Sequence, residues 1–139
     1  MTEISKRTIE LYIPSELGFE KIAMASASAA AQRMGFSAER IEDLKTAISE
    51  ACINAIEYGS EFDVSTKVLV ILNVGSDELE INVVDQGKQG FPETPLEPGS
   101  REDSRGWGTF LIKNLMDEVE FSKAPSGGNQ VRMVIHLEK

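Results

Sequence analysis

The chain has 139 residues, a formal net charge of −9 and one cysteine, Cys52, which fits a single domain, residues 1–139, able to bury a core without a disulfide. The acidic balance argues against non-specific binding to nucleic acid or anionic membranes, which needs basic patches, but a local phosphate site built from backbone N–H groups stays open. No apolar run reaches the roughly 20 residues that span a bilayer, the N-terminus lacks a signal-peptide core, and a lone cysteine suits a reducing compartment, so a cytoplasmic protein is expected.

From Thr8, residues 5–13 alternate, with Ile9, Leu11 and Ile13 on one face, which predicts a strand ended by Pro14. Ser15 is a candidate cap for an alanine-rich helix running to Met34 and closed by Gly35. Its small-residue run, Met24 to Ala31, suits close helix packing or, alternatively, a partner surface. Ser37 caps a second helix with Glu39 in its first turn. Ile41, Leu44, Ile48, Ala51, Cys52 and Ala55 form one apolar stripe along it, and Cys52 on that stripe reads as a buried small hydrophobe. Gly59 closes this helix. Residues 66–74 and 79–84 predict two strands joined at Gly75-Ser76-Asp77 as a hairpin. From Asp85 to Gly106 no helix or strand pattern emerges, and a stretch this long and this rich in Gly and Pro suits a lid, about residues 86–105, with a plain disordered insert as the alternative. A third helix is expected from about Thr109 to Met116, then strands near 119–122 and 131–137. The sum is a mostly antiparallel sheet with helices on one face, an α/β two-layer sandwich.

Three features carry possible chemistry. Glu50 and Asn54 lie four apart on the second helix, so they share a face, and that face points away from the apolar stripe. Asn is unfavourable inside a helix by roughly 0.7 kcal/mol relative to alanine, and a neutral oxygen for Mg²⁺ is a reason to keep it there, with Glu50 as a base or a water-mediated contact. Asp85-Gln86-Gly87 follows an apolar strand, where a fixed carboxylate can accept from an exocyclic amine and a glycine lets a ligand approach the backbone. Arg105-Gly106-Trp107-Gly108-Thr109 opens a helix and so offers N–H groups and a positive dipole end to phosphate. His136 stands alone in the sequence, with no second metal-ligand type clustered around it.

In chain order these features resemble the Bergerat ATP-binding fold of the GHKL superfamily: Ser49 to Gly59 its first box, Asp85-Gln86-Gly87 its second and Gly106-Trp107-Gly108 its third. Arg33-Met34-Gly35-Phe36-Ser37 and Leu115 to Phe121 look like the RsbW/SpoIIAB-type anti-sigma factors, which are serine protein kinases. The resemblance implies ATP and Mg²⁺ as ligands, with Glu50 as the catalytic base and Asn54 holding Mg²⁺. It further implies Asp85 beside Gly87 on the adenine amine, Gly106 and Gly108 on phosphates with Thr109 following, and Arg105 as a candidate for the γ-phosphate. The implied reaction is phosphoryl transfer to a serine of a STAS-type anti-anti-sigma protein. The implied partners are that protein and a sigma factor, with the kinase a homodimer that contacts neither nucleic acid nor membrane. The chain departs from the pattern at Tyr58, where His is common, at Gly90, one residue late, and at Asn129, where Thr commonly follows glycine. These departures leave a second reading, an ATP-gated binding module that does not phosphorylate its partner.

Overall fold

The computed structural model describes residues 7–59, 63–86, 104–125 and 127–137, with backbone alone at 104–107. Gly87, Gly90 and positions 87–103 of the expected lid lie outside the described residues.

Strand β1 (Arg7–Pro14) is followed by helices α1 (Glu20–Met34) and α2 (Ala38–Asn54), and α2 runs on into a π-helical turn, Ala55–Gly59. Strands β2 (Lys67–Val74) and β3 (Glu78–Val84) form the hairpin, then come α3 (Ser104–Leu115), β4 (Glu118–Lys123) and β5 (Asn129–His136). The five described strands make one sheet, ordered β1-β2-β3-β5-β4, with every neighbouring pair antiparallel. The last strand thus enters between β3 and β4, which sets the start of β5 beside the end of β3.

Alternation along the strands sends Ile13, Val68, Val70, Leu72, Leu79, Ile81, Val131, Met133 and Ile135 inward. They meet the stripe of α2 predicted from its period: Ile41, Leu44, Ile48, Ala51 and Cys52 are all buried. Ser37 caps α2 by accepting from the Arg40 N–H at 3.2 Å. In α1 the buried positions are Ala23, Ala27 and Ala31, with Glu20 at the start, so the small residues do bring the helix close to its neighbours. Burial pushes the Cys52 thiol up to about 12, with the Glu20 charge adding to it, which leaves it protonated and inert.

Three expectations need correction. Ser15 does not cap α1: the helix starts five residues later, Phe19 occupies the cap without a side-chain bond, and Ser15 is fully buried, 2.9 Å from the Thr66 hydroxyl. A serine with a buried partner across the chain is no longer available to a helix end. The third helix starts at Ser104 rather than Thr109, because packing of Ile112 and Met116 into the core outweighs the roughly 1 kcal/mol that each glycine costs a helix. Finally, His136 is not alone. On the outer sheet face its Nε2 lies 3.0 Å from Glu118 Oε2 and its Nδ1 3.5 Å from Glu78 Oε1. Cross-strand pairing of Glu78 with His136 creates this grouping, which linear spacing does not reveal.

Candidate active site

Helix α2 brings Glu50 and Asn54 to the side facing α3, and Gly108 closes on both. A Cβ at Gly108 would stand 2.8 Å from Glu50 Oε1 and 3.1 Å from Asn54 Nδ2. The absence of a side chain there is what lets the two helices approach. Because α3 begins at Ser104, Gly106 is among its first four amides, which lack intrahelical acceptors, while the Gly108 amide lies beyond them. Phosphate contact through free N–H groups therefore fits Gly106, and Gly108 serves the site through its missing Cβ. Thr109 is buried at 5% exposure. Arg105 lies in the first turn of α3, and its side chain is outside the described residues.

Burial raises the affinity of the half-buried Glu50 carboxyl for its proton, and the nearby Glu57 charge acts in the same direction. A carboxylate moved upward from its ordinary range is a better proton acceptor near neutral pH.

Beside Asn54 opens a small cavity, about 350 Å³ counting space shared with solvent. Its walls are apolar (Ala51, Val83, Ile112, Phe121 and Val131), and its polar lining is Asn54, Tyr58, Asp85 and Asn129. The Lys113 ammonium covers the Phe121 ring, 5.5 Å from its centroid.

Asp85 follows the last residue of β3 and is 5% exposed. Its N–H donates to the Asn129 carbonyl at 2.9 Å, and the Asn129 N–H donates to Asp85 Oδ1 at 3.2 Å. Two glycines clear the space around it. A Cβ on Gly59 would collide with the Asp85 carboxylate, and one on Gly128 would collide with the Asp85 backbone carbonyl. The π-helical turn is what delivers Tyr58 and Gly59 to this end of the cavity. Opening the helical repeat to i→i+5 rephases the residues that follow, so the turn keeps Ile56 in the core while Tyr58 and Gly59 line the cavity.

The predicted residues thus fall into two groups joined by Asn54. Glu50, Asn54 and Gly108 meet at the α2–α3 contact, while Asn54 and Asp85 line one cavity. Tyr58, Gly59, Ile112, Phe121 and Asn129 were not predicted as site residues. Of these, Tyr58 and Asn129 were visible as departures from a family pattern, and the apolar walls had no signal apart from core hydrophobicity. The donor set fits a purine nucleotide with a divalent ion. A buried carboxylate flanked by side-chain-free positions and a carboxamide line the cavity, and the carboxamide adjoins a second carboxylate where α2 meets α3.

Comparison with known proteins bears on the family and the fold. The profile of the histidine kinase-like ATPase domain matches residues 13–135. The serine-protein kinase RsbW of Oceanobacillus iheyensis is 33% identical over 94% of this chain and 85% of its own length. RsbW of Bacillus velezensis is 37% identical over 93% and 85%, and RsbW of Bacillus subtilis is 35% identical over 80% and 75%. Among solved structures, the RsbU and RsbW domains of a Mycobacterium tuberculosis protein superpose with a TM-score of 0.70 at 19% identity, covering 96% of this chain and 33% of that one. A histidine kinase domain from Erythrobacter litoralis gives 0.56 at 20%, covering 99% and 66%; at these identities the likeness is one of fold. With the family profile spanning most of the sequence and relatives above 30% identity along most of their own length, the chain belongs to the histidine kinase-like ATPase family, in its RsbW-type serine-protein kinase branch.

Proposed function

We propose that this protein is an ATP-dependent serine kinase of a partner-switching pathway, which phosphorylates a STAS-type anti-anti-sigma protein and sequesters a sigma factor. The observation that carries the reading is that Asn54, which meets Glu50 and Gly108 at the α2–α3 contact, also lines the cavity that holds the buried Asp85. In this reading Asp85 accepts from the adenine amine, and the first-turn amides of α3, Gly106 among them, face the phosphates. Asn54 offers its side-chain oxygen to Mg²⁺, which supplies charge neutralisation on the phosphates. Glu50 takes the proton of the partner's serine as the serine oxygen bonds to the γ-phosphorus and the bond from that phosphorus to the β,γ-bridging oxygen breaks, releasing ADP. The raised proton affinity of Glu50 suits that task. Arg105 and Gly87 are assigned to the phosphates and the base by family pattern. The same reading makes the protein a cytoplasmic homodimer, one domain over residues 1–139, with a lid near 86–103, since Ser104 and Arg105 belong to α3.

The test is incubation with γ-labelled ATP, Mg²⁺ and candidate STAS proteins. Label on a serine of the partner, lost in Glu50→Gln with Mg·ATP binding retained, is the expected result. Binding of Mg·ATP without transfer to any partner would instead favour an ATP-gated binding module.

A further inference from the structure

We propose that Glu78, Glu118 and His136 form a binding site for a divalent transition ion of the Zn²⁺ class on the outer face of the sheet. The site stands apart from the nucleotide cavity and does not depend on the ATP reading.

Strand register brings the three residues together. Glu78 opens β3 directly opposite His136 of β5. Glu118 opens β4 opposite Val134, two residues before His136, and side chains two apart share a face. All three therefore project from one face at one end of the sheet. One ligand atom from each lies within 4.8 Å of the other two. Ligand atoms about 2.0–2.2 Å from one tetrahedral ion stand roughly 3.4 Å apart, so the carboxylate tips need move little.

The frame beneath the three side chains is fixed. The His136 N–H donates to Asp117 Oδ2 at 2.7 Å, the Asp117 N–H to the Val134 carbonyl at 2.9 Å, and the Leu137 N–H to the Asp77 carbonyl at 2.8 Å. Arg132 Nη1 lies 3.4 Å from Glu118 Oε1 while Oε2 faces the imidazole, the kind of outer contact that orients a ligating carboxylate. The His136 side chain is 45% exposed and that of Glu118 47%, so an ion can enter and keep water as its remaining ligand.

The donor types decide the class of ion. Two carboxylates carry two negative charges against the two positive charges of the ion. Carboxylates alone would also suit Mg²⁺ or Ca²⁺, which take oxygen ligands, whereas the imidazole nitrogen favours Zn²⁺ and its neighbours. Glu78 opens β3 and Asp85 follows its last residue, so the ion lies roughly 20 Å from the cavity at about 3.3 Å per residue. There it fastens the ends of three strands and takes no part in phosphate chemistry.

Calorimetric titration of the nucleotide-free full chain with Zn²⁺ tests the assignment. Wild type should bind one ion, and His136→Gln should weaken binding by at least about tenfold to a hundredfold, the loss expected even for an outer-shell partner. Glu118→Gln supplies the same comparison if circular dichroism shows the histidine variant unfolded. Glu50→Gln should retain the wild-type Zn²⁺ affinity, and His136→Gln the wild-type affinity for Mg·ATP. No saturable Zn²⁺ binding, undiminished affinity in a folded His136 or Glu118 variant, or loss of Zn²⁺ binding in Glu50→Gln overturns the site.

Discussion

Replacing Gly108 with alanine separates stability from function at one atom. Gly108 is the fifth residue of α3, inside the helix, so alanine gains roughly 0.8–1 kcal/mol of helix propensity. The new Cβ, however, would stand 2.8 Å from Glu50 Oε1 and 3.1 Å from Asn54 Nδ2, against the ~3.5–4.0 Å of ordinary carbon contacts. The carboxylate ends a flexible, half-buried side chain, so it can swing aside at a rotamer cost of about 0.5–1.5 kcal/mol. The two effects nearly cancel, and the melting temperature should stay within about 4 °C of wild type. Function should not survive as well, since displacing a reacting group by about 1 Å can cost on the order of a hundredfold in rate. Differential scanning calorimetry, Mg·ATP titration and γ-phosphoryl transfer together read the outcome. A variant that gains the full propensity increment while keeping wild-type affinity and turnover would refute the claim that this contact shapes the site.

Other perturbations have equally defined outcomes. Gly128→Ala drives a Cβ into the backbone carbonyl of Asp85, which cannot rotate away, and should destabilise the protein by about 1–3 kcal/mol or more; urea unfolding measures it. Glu50 has its proton affinity raised by burial and by Glu57, so the folded state binds more protons than the unfolded chain between the ordinary glutamate pKa and the raised one. Stability from this group therefore falls as pH rises through that window, and Glu50→Gln should gain on wild type in thermal unfolding as pH increases across it. Arg40 holds Asp43 at 2.9 Å, the Leu115 carbonyl at 3.1 Å and Asp117 at 3.1 Å, tying the start of α2 to the end of α3. Arg40→Ala should cost about 1–2 kcal/mol and lower the melting temperature, with Mg·ATP affinity unchanged.

Much of the fold is written in local pattern. The α2 stripe, the β2–β3 hairpin and the Gly35 stop each follow from period and turn chemistry, and they appear where that chemistry puts them. Boundaries set by tertiary partners are different. Ser15 looks like a cap until Thr66 claims it, and the glycines of α3 look like a loop until Ile112 and Met116 anchor the helix beyond them. Within the candidate site, Glu50 and Asn54 were legible because they oppose the apolar stripe on the same helix. Asn129 showed only as a departure from a family pattern, because its partnership with Asp85 depends on β5 entering beside β3, a contact across 44 positions. The grouping of His136 with Glu78 and Glu118 was hidden for the same reason.

The π-helical turn at Ala55–Gly59 sets fitness for binding against fitness for folding within five residues. Wide turns of this kind are rare and form mostly as single insertions in otherwise ordinary helices, so deleting one residue would restore the tighter repeat. The same deletion would swing the end of the helix by about 100° and carry Tyr58 and Gly59 away from Asp85. A selection for thermal robustness without nucleotide should therefore collect deletions here, and the same selection with nucleotide present should purge them. Where the helix is least regular, its length is under the tightest control.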